Sequence, residues 1–103
     1  MKIIEKLSQM IADELDGAEE YIKEAIAQKD TDNHLASTFF DISMQEMNHV
    51  NLIHAEVARL IEDYRKTNGE PPEGMLALYT YLHKQHIDRA GKIKAMQQMY
   101  RET

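Results

Sequence analysis

The stretch from Leu35 to Leu60 constrains the fold most, because apolar residues recur along it at alternating spacings of four and three residues. Such spacing is typical of the packed face of an α-helix. Two polar residues, Glu46 and His49, interrupt this stripe and lie one helical turn apart on the same side. The stripe consists of Leu35, Phe39, Ile42, Glu46, His49, Ile53, Val57 and Leu60. The pattern therefore predicts a helix whose buried face carries a carboxylate and an imidazole.

The pair Glu46 and His49 indicates a metal site. A carboxylate removed from water without a partner costs several kcal/mol, so a buried glutamate needs a proton or an opposite charge. A divalent cation bound by the Glu46 oxygen and a His49 nitrogen would remove that cost. These ligand types suit iron, manganese and zinc.

A first helix, predicted over residues 2–28, has a similar stripe that is interrupted once, by Glu14. The polar segment 29–33 contains several residues that favour helix N-termini, so we expect a turn there and an antiparallel second helix. With a pivot near Asp30, Glu14 precedes the turn by as many residues as Glu46 follows it. The equal rise along the two helices places both carboxylates at one level. Glu14, Glu46 and His49 are therefore predicted to converge.

The second helix is predicted to end near residue 66, before Gly69, which can adopt a left-handed cap. A third helix over about residues 72–101 contains His83 and His86, which are the next ligand candidates. Counted from Gly69, however, these histidines lie off the level of the site, and His86 falls nearer His54. The favoured interpretation is that they are partly buried and bonded to backbone or water. The alternative is a secondary metal site, or a helix crossing angle that brings them into the main one.

Composition limits the class of protein. The 103 residues suffice for one all-α domain, residues 1–103, and the absence of cysteine excludes disulfides and thiolate metal sites. The chain has 18 acidic and 12 basic residues, and the basic ones are scattered, so nucleic acid is not expected as a partner. The N-terminus does not resemble a signal peptide, and no stretch is apolar for long enough to span a membrane. We therefore expect a cytoplasmic protein without a membrane partner.

The combined spacing resembles the first half of the ferritin-like di-iron proteins. Glu14-x6-Tyr21, followed by Leu35-Ala36-x-x-Phe39-x6-Glu46-x-x-His49, is closest to the rubrerythrin pattern, and the chain is similar in size to the encapsulated ferritins. The resemblance covers about residues 7–64. It implies a ferritin-like helical hairpin and a di-iron cofactor. It also implies that Glu14 and His49 are terminal or near-terminal ligands, that Glu46 bridges two metals and that Tyr21 supports the ligands from outside the coordination sphere.

The number of ligands predicts how such a site would be completed. A di-iron carboxylate bundle takes one Glu from each of two helices and a Glu-x-x-His motif from each of two others, and this chain supplies half of that set. We expect a homodimer, or a higher homo-oligomer, to complete a four-helix site. The competing architecture is a mononuclear or atypical site completed by the third helix.

The expected activity is that of a ferroxidase, which oxidises Fe(II) with oxygen or peroxide, with manganese or zinc as other metals that suit the ligands. Two alternatives stay open. In the first, the chain is a non-enzymatic helical interaction or structural module, and its glutamate and histidine bond to each other. In the second, it is a metal-binding protein without oxidase activity.

Overall fold

A computed structural model describes residues 1–103 as three α-helices without strands, which confirms the all-α prediction. Helix α1 spans Lys2–Gln28, α2 spans Asn33–Asn68 and α3 spans Glu73–Glu102. The second helix therefore continues two residues beyond its predicted end, and α3 begins and ends one residue later than predicted.

The two turns use the residues that the sequence indicates. Asp32 caps α2, because its carboxylate accepts a hydrogen bond from the backbone N–H of Leu35 at 3.1 Å. Gly69 ends α2 with a φ of 79° and donates its N–H to the Arg65 carbonyl at 3.0 Å. Its ψ of −163° lies outside the left-handed helical region, so the predicted left-handed cap is wrong, although the positive φ still favours glycine.

The helices run up, down and up in an elongated molecule of 55 × 19 × 17 Å. Helix α1 packs along α2 over most of its length, whereas α3 packs mainly against α1 and contacts α2 at few points. None of the three helices is apolar over enough of its length to cross a membrane.

Helix α1 is the centre of the core because it contacts both other helices. Its fully buried side chains pack against apolar residues of α2 and against Ile93 of α3. The buried core residues of α1 are Ile4, Ile11, Leu15, Ala18, Ile22 and Ala25.

A buried polar bridge joins the three helices. Ser43 of α2 donates its hydroxyl to the Ala18 carbonyl of α1 at 2.7 Å, and Gln97 of α3 donates to the Ser43 oxygen at 3.0 Å. Both side chains are buried, so leaving either one unbonded would cost about 1–3 kcal/mol. The bridge fixes the rotation of α2, with Ser43 facing the other two helices.

The prediction that the Leu35–Leu60 stripe is the buried face of α2 is wrong. Within it only Val57 is buried, while Leu35 and His49 are exposed. Apart from Val57, the buried side chains of α2 belong to a neighbouring line that faces α1 and α3: Ala36, Ser43, Met47, Val50 and Ile61. The physical reason is that α3 contacts α2 through Phe40, Ser43 and His54, so it leaves most of the stripe only partly covered.

This partly covered surface continues onto α1, where Ile3, Leu7 and Met10 precede Glu14 at spacings of four and three residues and Tyr21 follows Glu14 after seven. We call the combined surface the open face. It consists of Ile3, Leu7, Met10, Glu14 and Tyr21 from α1 and of Leu35, Phe39, Ile42, Glu46, His49, Ile53 and Leu60 from α2.

Candidate metal centre

The structure brings Glu14, Glu46 and His49 together on the open face. One potential ligand atom from each lies within 4.8 Å of the other two, and His49 Nδ1 is 3.2 Å from Glu14 Oε2. This convergence agrees with the register predicted from the turn between α1 and α2. The role of these residues as metal ligands remains a prediction.

Gly17 makes room for the Glu46 carboxylate beside α1. A Cβ atom at Gly17 would lie 3.3 Å from Glu46 Oε2 and 3.4 Å from its Cδ, which is closer than ordinary van der Waals contact. Gly17 follows Glu14 by one helical turn, so the two residues together form the α1 side of the cluster. A glycine inside a helix costs about 1 kcal/mol relative to alanine. The close approach of Glu46 accounts for that cost.

The two carboxyl groups of the cluster shift each other's pKa in opposite directions. The hydrogen bond from the Glu46 carboxyl lowers the pKa of Glu14 against an opposing effect of burial, and His49 lowers it further. The same hydrogen bond with Glu14 raises the pKa of Glu46, and burial and the negative charge of Glu14 raise it further. Two carboxylates this close repel each other when both are ionised, so the pair favours either a shared proton or a cation. A divalent cation would take the place of the proton.

The cluster is open to the surroundings rather than enclosed by α3. The Glu14 side chain is 27% exposed and that of His49 is 49% exposed. The predicted burial of Glu46 and His49 on a seam within the chain is therefore wrong, because α3 packs mainly against α1 and does not cover this part of α2. The cluster contains no ligand atom from α3, and its exposed side leaves room for ligands from outside the chain.

Tyr21 lies on the same face as the cluster but two helical turns from Glu14, which is about 10 Å along the axis. Its ring packs against Phe39 with centroids 5.9 Å apart. The structure contains no hydrogen bond from Tyr21 to the cluster. Within one chain, Tyr21 therefore contributes packing beside the site.

His83 and His86 lie outside the cluster. His83 contacts His54 of α2, with His54 Nε2 2.7 Å from His83 Nδ1. His86 lines a cleft of about 200 Å³ between α1 and α3, together with Ser8 and Arg89. The sequence predicts His86 near His54, and the structure shows that His83 makes the direct contact with His54.

The sequence analysis missed the roles of Gly17 and His54. The signal for Gly17 is a glycine in the middle of a strongly helical segment, three residues after a predicted ligand. The signal for His54 is the turn at Gly69, because His54 and His83 lie at nearly equal distances before and after it. Equal counts from a turn predict equal levels on antiparallel helices.

Replacing Gly17 with Ala is expected to separate stability from metal affinity. The added helix propensity should raise the free energy of unfolding by up to about 1 kcal/mol, whereas the new methyl group displaces the Glu46 carboxylate. We expect a higher midpoint of thermal unfolding without metal and about tenfold weaker Mn(II) binding, a loss typical of disturbed ligand orientation.

Gly91→Ala is the matched control, since a Cβ there meets nothing within 4 Å. It should raise the unfolding midpoint similarly without changing Mn(II) binding. Equal Mn(II) affinity for the two variants would contradict the role of Gly17 at the site.

No protein-family model, curated protein sequence or solved structure matches the chain. Its function is therefore inferred from the donor atoms of the cluster, their spacing and the surface on which they lie.

Proposed function

We propose that the chain is a ferritin-like, rubrerythrin-like protein that holds a dinuclear iron centre at Glu14, Glu46 and His49 and oxidises Fe(II) there with oxygen or peroxide. The observation that carries this proposal is the convergence of two carboxylates and one imidazole within 4.8 Å. Side chains from two helices meet at this point, with a glycine that leaves space for one of the carboxylates.

The donor atoms fit iron. Carboxylate oxygens are hard ligands that stabilise Fe(III) more than Fe(II), and imidazole is a common ligand of both. The opposite pKa shifts of Glu14 and Glu46 support the same interpretation, because they mark a position where positive charge stabilises the pair. A carboxyl group must be ionised to bind a cation and the pKa of Glu46 is raised, so metal affinity should fall as the pH falls.

Two copies of the chain would complete the centre. A dinuclear carboxylate site in a helical bundle takes two single glutamates and two Glu-x-x-His motifs. One chain provides Glu14 and the pair Glu46 and His49, and α3 adds no carboxylate or imidazole to the cluster. A second copy packed on the open face about a two-fold axis would double this set to four glutamates and two histidines. The apolar residues around the cluster supply a surface for that contact.

The residues have distinct roles in this proposal. Glu46, whose carboxylate lies against Gly17 of α1, would bind both metal ions. Glu14 and His49 would each provide a ligand atom beside it. Iron held there would supply the redox chemistry, and the apolar residues of two open faces would exclude bulk water from it.

Aerobic oxidation of Fe(II) is the direct test. The protein is expected to produce ferric absorbance faster than buffer does, and Glu14→Ala should slow the reaction towards the buffer rate because it removes a carboxylate from each ion. Glu20→Ala, which changes an exposed glutamate of the same helix, is the matched control and should react like the unchanged protein. Identical traces for protein and buffer would refute the ferroxidase proposal.

One observation favours a second candidate, a helical interaction module without redox activity. The cluster is already bonded without an ion, since His49 Nδ1 lies 3.2 Å from Glu14 Oε2. If the chain is such an interaction module, the protein would contain no stoichiometric metal after aerobic purification. If the protein instead retains metal but does not oxidise Fe(II), it is a metal-binding protein without oxidase activity.

A further inference from the structure

A second cluster of potential ligands lies between α2 and α3. His54 Nε2 and His83 Nδ1 are 2.7 Å apart, and the two rings are nearly parallel with centroids 4.5 Å apart. Both residues are half-buried, and the Tyr79 ring lies nearly parallel to the His83 ring with centroids 5.8 Å apart. The contact is notable because α2 and α3 otherwise touch at few points.

The two facing nitrogens can hold only one proton between them. In a hydrogen bond one ring donates N–H and the other accepts with a lone pair, and two facing N–H groups would repel each other. Burial, followed by the charge of His83, lowers the pKa of His54. The lowered pKa favours the neutral form of His54, which is the state in which imidazole binds metal ions.

The spacing is close to that of two ligands on one ion. Zinc–nitrogen bonds of about 2.0–2.1 Å at a tetrahedral angle put two ligand nitrogens about 3.3 Å apart. A small rotation of either side chain would widen the present 2.7 Å to that value. The half-buried position leaves the remaining coordination sites to water.

We propose that His54 and His83 form a separate metal site, which binds a borderline divalent cation such as Cu(II) or Zn(II) and links α3 to α2. Ligands that are all imidazole select such ions over the harder ions that favour carboxylates. The ion takes the place of the shared proton and cross-links two helices that have little other contact. The site is independent of Glu14, Glu46 and His49, because it lies on the α3 side of α2 and shares no residue with them.

The test uses Cu(II) alone as the probe, in full-length protein that also carries Glu46→Ala and His49→Gln to disable the first cluster. We expect uptake of one Cu(II) per chain, with nitrogen hyperfine coupling in the electron paramagnetic resonance spectrum. His54→Gln and His83→Gln, each added separately, should weaken Cu(II) binding by at least about tenfold. Loss of a residue that only supports a metal ligand already costs that much, and these residues are proposed as the ligands themselves. Adding His34→Gln, an exposed histidine at the start of α2, should leave binding unchanged.

Three outcomes would overturn the proposal: no Cu(II) uptake, uptake unaffected by both His54→Gln and His83→Gln, or an equal loss with His34→Gln. Circular dichroism of each variant before the titration checks that the helices are intact. The two glutamine variants alter different helices, so a folding defect in one leaves the other as a test.

Discussion

Replacing Glu46 with Ala is expected to abolish stoichiometric binding of Fe(II) or Mn(II) while leaving the helical content almost unchanged. Glu46 is the central ligand of the proposed site, and its loss removes a carboxylate from both ions of a shared centre. Its side chain is only half-buried and belongs to no core contact, and alanine has a higher helix propensity than glutamate. Metal analysis after anaerobic loading, together with far-ultraviolet circular dichroism, checks both parts.

Glu56→Ala is the control for this prediction, since Glu56 is an exposed glutamate of α2 that only pairs with Arg59. His83→Ala and His86→Ala should also retain bound Fe(II) or Mn(II), because neither residue lies in the cluster. Stoichiometric metal in the Glu46→Ala protein would refute the site assignment. An equal loss in the His83 or His86 variants would mean that α3 completes the site.

The position of the cluster along the chain could be predicted from the sequence because it depends on counting. Helices have a constant rise, and the polar turn at residues 29–33 sets one pivot, so Glu14 and Glu46 had to lie at one level if α1 and α2 pair. Asp32 caps the start of α2, within the segment where the count places the turn. The same counting from Gly69 places His83 opposite His54, because the two lie at nearly equal distances from it, and the structure shows that contact.

Burial could not be predicted in the same way. Helix α2 is apolar on two neighbouring lines, and periodicity alone does not show which line faces another helix of the same chain. The line through Ser43 and Met47 is buried, whereas the line through Ile42 and Glu46 is not. The buried bridge from Ser43 to Gln97 decides between them, and it depends on a contact with α3 that no local pattern reveals. A surface that packs against a second copy has the same pattern as a core.

Metal is expected to stabilise a dimer of this chain. If two open faces share one centre, the associated state binds metal and the separated chains do not, so metal shifts the association equilibrium by mass action. At a free metal concentration of 100 times the dissociation constant, one site stabilises the bound state by about 2.7 kcal/mol, which is roughly a hundredfold in affinity. Analytical ultracentrifugation with and without Mn(II), near the dissociation constant of the dimer, measures this shift.

A charge on the open face is expected to prevent that association. Met10 is 43% exposed beside Glu14, and Met10→Glu would bury an unpaired carboxylate in the interface at a cost of several kcal/mol. Leu52→Glu is the matched control, because Leu52 is 60% exposed on α2 but lies outside the open face, and its replacement should leave the dimer intact. Equal association of the two variants would place the interface elsewhere. A chain that stays monomeric at high concentration with two metal ions bound would refute the shared centre. His83 and His86 would then be the candidates for the missing ligands, since α3 contains no other histidine that could complete a site within one chain.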